Sequence, residues 1–170
     1  MLTSSNLQFQ QSRRTKRQQN MPDPMDVLNY KKHECRFITE VHLGQKDVDA
    51  IHANFQSFTK LEILWLNDNK LTKITNLLPE QKEHSVADSA KGTSRLKRLY
   101  LSNNRINTLL GDVGRLKYLE VLLLANNQLS NMEVVSQQLS HLRFLQQLDL
   151  FGNPLSEERD YRFYVIHNHK

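Results

Sequence analysis

The sequence has little cysteine, a single tryptophan and no long apolar run. Cys35 is the only cysteine in 170 residues, so no internal disulfide can form, which is typical of proteins from a reducing compartment. The mean hydropathy of -0.62 and the lack of a run of about 20 apolar residues exclude a transmembrane helix. The first 20 residues contain no apolar segment of the kind found in secretory signals. We therefore expect neither a disulfide-stabilised fold nor insertion into a membrane.

The formal charge of +5 comes from 23 basic and 18 acidic residues and is concentrated near the N-terminus. Residues 1–36 contain seven basic and three acidic side chains, whereas residues 37–170 contain 16 and 15. Residues 1–25 form a basic, Gln-rich tail with too few apolar side chains to fold, so we expect it to be disordered. The nearly neutral remainder argues against nucleic-acid binding except through this tail.

No combination of residues in the sequence predicts catalysis. The glycines of residues 111–114 are not followed by the Lys-Ser/Thr pair of a phosphate-binding loop. His167 and His169 have no third or fourth ligand at the spacing of a metal site. The sequence therefore predicts neither an enzyme nor a bound metal or cofactor.

Leucine is abundant instead, at 27 of the 170 residues, and its spacing reveals an internal repeat. Segments that begin at residues 61, 96, 119 and 145 each read L-x-x-L-x-L-x-x-N, and a weaker copy begins at residue 38. The five repeats thus cover residues 38–155, with starts 23, 35, 23 and 26 residues apart. The excess in the interval of 35 falls in the polar segment 79–94, which we interpret as a surface loop insertion.

Positions are numbered here from the first residue of each motif. The leucines at positions 4 and 6 alternate with outward residues and predict a short strand, and successive strands must stack in parallel to bury their apolar sides. This pattern resembles the leucine-rich repeat superfamily, in particular its short-period intracellular branch with phosphatase-regulatory and axonemal members. The resemblance implies an α/β solenoid of about five repeats, with a curved parallel sheet on the concave face and short helices or turns on the convex face.

The apolar core is exposed at both ends of a solenoid, so each end needs a cap. The turn after each strand needs hydrogen-bond partners for its backbone groups. The asparagine at position 9 can donate and accept hydrogen bonds, so we expect it to satisfy backbone groups of that turn. We expect residues 26–37 to form an N-terminal cap that buries Cys35 and Phe37. We expect residues 156–170 to form a partial C-terminal cap. The four predicted structural asparagines are Asn69, Asn104, Asn127 and Asn153.

Positions 3, 5 and 7 of each repeat point away from the core, onto the concave face of the predicted sheet. The middle of this face is apolar and contains the tryptophan, a composition typical of a protein-binding site when charged residues surround it. The rim residues are Glu40, His42, Arg98 and Asp149. The alternative that the N-terminal tail or a neighbouring molecule covers the face stays open. The predicted partner-binding residues are Ile63, Trp65, Asn67, Arg98, Tyr100, Val121, Leu123, Asp149 and Phe151.

The resemblance implies a non-catalytic scaffold that binds a protein partner of unknown identity. It points to a cytoplasmic setting, with a cilium or axoneme as the candidate assembly. Two other functions stay open: a subunit associated with a ribonucleoprotein, in which the basic tail would reach RNA, and a phosphatase-regulatory subunit. A nuclear location stays open as well, because the tail contains a short basic run at residues 13–17.

Overall fold

A computed structural model describes residues 27, 28, 31, 33–80 and 92–161. Five three-residue strands form one parallel sheet in chain order. The described residues also include the α-helix α1 (Met132–Leu139) and four short 3-10 helices, Cys35–Phe37, Ala53–Ser57, Val113–Arg115 and Pro154–Glu157. The predicted α/β repeat solenoid is confirmed. Its strands are β1 (Glu40–His42), β2 (Ile63–Trp65), β3 (Arg98–Tyr100), β4 (Val121–Leu123) and β5 (Gln147–Asp149).

The strands pair in the same register at every step of the sheet. Between β2 and β3, for example, Leu64 lies opposite Leu99, and each strand residue faces its motif equivalent. Backbone hydrogen bonds continue the ladder beyond the strands. Just before β2 and β3, for example, Lys97 N–H donates to Glu62 O (2.9 Å). Equivalent residues of successive repeats therefore lie in rows across the sheet, one strand spacing of about 4.8 Å apart.

The motif leucines form the core. Leu64, Leu99 and Leu122, at position 4 of three repeats, are completely buried. Phe55 and Phe58 fill the space behind the second repeat, with ring centroids 4.8 Å apart. Burying a leucine contributes about 2 kcal/mol relative to leaving it exposed, so the stacked repeats are held together mainly by these side chains.

The position-9 asparagines join the backbones of neighbouring repeats. Asn104 Oδ1 accepts from Leu71 N–H (3.0 Å), and its Nδ2 donates to the carbonyls of Leu66 and Leu101 (2.9 Å each). Asn69, Asn127 and Asn153 make the same set of bonds. In the first repeat, where lysine replaces asparagine, Lys46 N–H donates to Asn69 Oδ1 (3.2 Å).

The residue at position 8 has a positive φ in every repeat, between 55° and 70°. Asparagine, aspartate and glycine tolerate this left-handed conformation best, and they occupy the position in repeats two to five. The side chains form a second polar ladder, in which Asn103 Nδ2 donates to Asp68 Oδ1 (2.7 Å) and Asn126 Nδ2 to Asn103 Oδ1 (2.8 Å). Sequence analysis did not identify this ladder.

The ends of the predicted insertion 79–94 are packed against the core. Gly92 and Thr93 are buried, and Thr93 Oγ1 donates to Leu77 O (3.0 Å). At the other end of the insertion, the N–H groups of Leu77 and Leu78 donate to the buried carboxylate of Asp112. The described ends of the predicted surface loop are therefore packed, because their backbone groups need buried partners. Residues 81–91 lie outside the described residues.

The two predicted caps are described in part. Cys35 is buried as predicted, and burial raises the pKa of its thiol. Phe37 is 61% exposed, so its prediction as a core residue is wrong, because it occupies the middle of a turn before β1. At the other end Tyr161 packs against the core. Residues 162–170 and the tail 1–25 lie outside the described residues.

Candidate functional site

The predicted partner-binding residues of the sheet lie side by side in two rows. At position 3, Ile63 pairs with Arg98, and Arg98 pairs with Val121. The position-5 row consists of His42, Trp65, Tyr100, Leu123 and Asp149, each opposite the next. The in-register ladder brings these residues together although they lie up to 107 positions apart in the sequence.

Three rings of the position-5 row form a continuous stack. The ring centroids of Trp65 and Tyr100 are 3.8 Å apart with an interplanar angle of 10°, and those of His42 and Trp65 are 5.4 Å apart at 11°. The sequence placed His42 at the rim, whereas the structure makes it the first ring of the stack. A stack of flat rings gives a partner a large, rigid contact area at low cost in conformational entropy.

Glu40 fixes one end of this stack. Its Oε1 accepts a hydrogen bond from Trp65 Nε1 (2.9 Å) and lies 3.0 Å from His42 Nε2. The carboxylate therefore satisfies the polar edge of Trp65 and holds both rings in one orientation. The sequence predicted Glu40 as a rim charge, and its position-3 location beside Trp65 was the signal for this contact.

Aliphatic side chains extend the surface away from the rings. Ile63, Val121 and Leu123 are half-buried, and Phe151, just beyond β5, is 74% exposed. These residues give the sheet an apolar centre next to the aromatic stack, as expected of a protein-binding surface.

The three polar members of the predicted site have different roles. Arg98 is exposed and forms no ion pair with any residue that the structure describes. Asp149 Oδ1 accepts from Phe151 N–H (2.9 Å) and so shapes the end of β5. Asn67 Nδ2 donates to Asp68 Oδ2 (2.7 Å), which connects it to the position-8 ladder rather than to the apolar centre.

Metal-ligating side chains do not cluster in the described part of the chain. It contains no group of three or more His, Cys, Asp or Glu side chains that could hold a metal ion. His42 in β1 and Asp149 in β5 are separated by four strand spacings, about 19 Å. Nor does it contain a helix whose length and hydropathy would allow it to cross a membrane.

Two curated relatives share the name U2 small nuclear ribonucleoprotein A'. The chain is 27% identical to the probable U2 small nuclear ribonucleoprotein A' of Caenorhabditis elegans, over 75% of this chain and 46% of the relative. It is 31% identical to U2 small nuclear ribonucleoprotein A' of Arabidopsis thaliana, over 69% of this chain and 51% of the relative. The chain thus spans about half the length of these relatives.

The solved structures give the same picture of the fold. The Drosophila melanogaster SNF/U2A' complex contains a chain that superposes with a TM-score of 0.62 at 26% identity, over 76% of this chain and 67% of that one. A leucine-rich repeat profile matches residues 85–170, half of the sequence. The chain therefore belongs to the leucine-rich repeat family, whose members are in general non-catalytic scaffolds.

Proposed function

We propose that the chain is a protein-interaction scaffold that captures its partner on the concave face of the sheet. The observation that carries this proposal is the ring stack of His42, Trp65 and Tyr100, held by Glu40 and continued by half-buried aliphatic side chains. Tryptophan and tyrosine are the residues most enriched among those that dominate binding energy in protein interfaces. The stacked rings connect neighbouring strands, and their outer sides offer a partner a rigid apolar surface.

The shape of the surface suggests what the partner presents. The two outward rows run across five strands, about 19 Å, and the sheet lies on the concave side of the solenoid. A helix or a loop from the partner fits such a concavity, with apolar side chains over Trp65 and Leu123. Arg98, which has no ion pair within the described residues, then offers its guanidinium to an acidic group of the partner.

Among the possible assemblies, a ribonucleoprotein has the most support. Two relatives are named as small nuclear ribonucleoprotein subunits, and the Drosophila U2A' structure is of a complex with SNF. We propose such an assembly, and with it a nuclear location, ahead of the ciliary or phosphatase-regulatory assembly that the sequence resemblance implied. The closer resemblance of residues 64–71 and 161–167 to leucine-rich repeat-containing protein seventy-two stays a prediction.

Affinity capture from cell extract tests the concave face. Wild type is compared with Trp65→Ala/Leu123→Asp, and with Leu110→Asp as a matched control, because Leu110 is 52% exposed and lies outside the strands. Circular dichroism first establishes that all three proteins fold. We expect specific partners to be lost with the double variant alone. Identical partners for all three proteins would place the binding surface elsewhere.

Purified Drosophila SNF tests the choice of assembly. Isothermal titration calorimetry measures its affinity for wild type and for Trp65→Ala/Leu123→Asp. Binding that requires the concave face would support the ribonucleoprotein assignment. If SNF does not bind while the capture experiment yields partners that depend on the concave face, the scaffold proposal stands and the assembly is a different one.

A further inference from the structure

A second surface lies where the chain turns into each strand. In all five repeats the N–H at position 1 donates to the carbonyl three residues earlier, for example Leu119 N–H to Leu116 O (3.0 Å) and Leu145 N–H to Leu142 O (3.1 Å). The residue that provides the carbonyl is buried in every repeat. The two residues between them therefore occupy the middle of a tight turn and project from one edge of the sheet. We call these five turns the pre-strand turns.

The ten central residues of the pre-strand turns are five cations, three aromatic residues, a threonine and a serine, with no acid. Each turn contributes one cation, and all five are exposed. None of them forms an ion pair with a residue that the structure describes. The cations are Arg36, Lys60, Arg95, Lys117 and Arg143.

Three of the five turns also contain an exposed aromatic ring. Phe37, Tyr118 and Phe144 are 61%, 56% and 56% exposed. Tyr118 and Phe144 face each other at 6.2 Å between centroids and an interplanar angle of 17°. At the other end of the row, the guanidinium of Arg36 lies 4.8 Å from the centroid of the Phe37 ring.

Neighbouring charges leave this edge positive. In the adjoining row, at position 2, Glu62 is neutralised by Lys97 (3.0 Å), which leaves Glu120 as the other carboxylate of that row. The balance of 16 basic and 15 acidic residues over 37–170 thus conceals a segregation of charge. Four of its cations, together with Arg36, lie along about 19 Å of one edge.

We propose that the pre-strand turns bind single-stranded nucleic acid, with its phosphates on the five cations and its bases on the exposed rings. Regularly spaced cations beside aromatic rings combine the electrostatic and stacking interactions by which proteins hold single strands. An acidic peptide would satisfy the cations but would leave unexplained why three of the five turns pair a cation with a ring. This surface is separate from the concave face, so the inference does not depend on the proposed partner-binding site.

Fluorescence anisotropy with a labelled 15-nucleotide oligouridylate tests the proposal on the full chain, whose basic tail is unchanged in all variants. Tyr118→Ala/Phe144→Ala should weaken binding by about tenfold or more, since each stacked base contributes substantially to affinity. Leu110→Ala, which shortens an exposed apolar side chain outside the turns and outside the concave face, is the control and should leave the affinity unchanged.

A second pair of variants isolates the charge. Lys117→Gln/Arg143→Gln should reduce the slope of log affinity against log salt by about 1.4, at roughly 0.7 for each phosphate that the variant no longer neutralises. Lys73→Gln/Arg105→Gln removes two exposed cations beyond the other end of the strands and should leave the slope unchanged. Equal reductions in both pairs, or no binding of oligouridylate, would overturn the proposal. So would competition by polyglutamate as strong as that by unlabelled oligouridylate, since that would indicate an acidic protein ligand.

Discussion

The asparagine at position 9 stabilises the fold through hydrogen bonds that the packing of the leucines cannot replace. Asn104 makes three buried hydrogen bonds to backbone groups of two repeats, and a longer one to Ser102 O (3.4 Å). Asn104→Ala leaves the Leu71 N–H without its partner, whereas the carbonyls of Leu66 and Leu101 each keep one hydrogen bond, from Asn69 and Asn127. We expect a loss of about 2 kcal/mol in the free energy of unfolding. Urea denaturation measures it. Asn107→Ala, at an exposed position, is the control and should change the value by less than about 0.5 kcal/mol; equal effects would contradict the account.

Asp68 gives the position-8 ladder a pH dependence. Hydrogen bonds from Asn67 and Asn103 lower the pKa of its carboxyl below the ordinary value of 3.8. Its contribution to stability is therefore present above the unfolded pKa of 3.8 and is lost as the pH falls through the lower folded pKa. Asp68→Asn should make the free energy of unfolding fall less steeply below about pH 4.

The matched control for this acid titration is Asp49→Asn, which removes one exposed carboxylate that has no hydrogen bond to another described residue. Urea denaturation across the acid range compares the two variants with wild type. A pH profile of Asp68→Asn that superposes on the wild-type profile would show that the ladder does not stabilise the carboxylate.

Glu40 connects the fold to binding through a single side chain. Its hydrogen bond to Trp65 Nε1 orients the ring, so Glu40→Ala should weaken partner binding about fivefold through lost preorganisation, with little change in stability. Calorimetry with the captured partner measures the affinity. An unchanged affinity would mean that Trp65 adopts its bound orientation without the carboxylate.

At the scale of elements, the base of the insertion depends on Asp112. Its carboxylate accepts from Leu77 and Leu78 N–H and from Arg115 Nη1 (2.9 Å), and Arg115 Nη2 donates to Pro79 O (2.7 Å). Asp112→Ala should remove hydrogen-exchange protection at the amides of residues 77 and 78 and leave that of β4 and β5 intact. Global loss of protection would show that Asp112 stabilises the whole solenoid.

The strands and their rows could be predicted because the motif fixes them locally. Period-two leucines define each strand, and the shared motif positions fix the register even though the intervals between motifs differ, so Trp65 was expected beside Tyr100. The base of the insertion could not be predicted, since Asp112 bonds to residues 35 positions away and belongs to no motif position. Ring stacking and the Glu40 contact depend on rotamers, which periodicity does not determine.

At the scale of the whole molecule, the sheet separates two surfaces. The concave face contains the ring stack and aliphatic residues, whereas the pre-strand turns at its edge contain exposed cations and exposed rings. Charge counted along the sequence did not show this separation, because it appears only when equivalent turns are aligned across repeats. A protein partner and a nucleic-acid strand could therefore be bound at the same time, as a ribonucleoprotein subunit would require.

The most direct test of the central claim uses the single tryptophan, Trp65, in the middle of the concave face. Protein labelled with 5-fluorotryptophan has one 19F resonance from this chain, whatever tryptophans the partner contains. We predict that adding the captured partner shifts or broadens that resonance in proportion to the bound fraction measured by calorimetry. A partner that saturates the protein while the resonance keeps its position and width would contradict the assignment of the concave face.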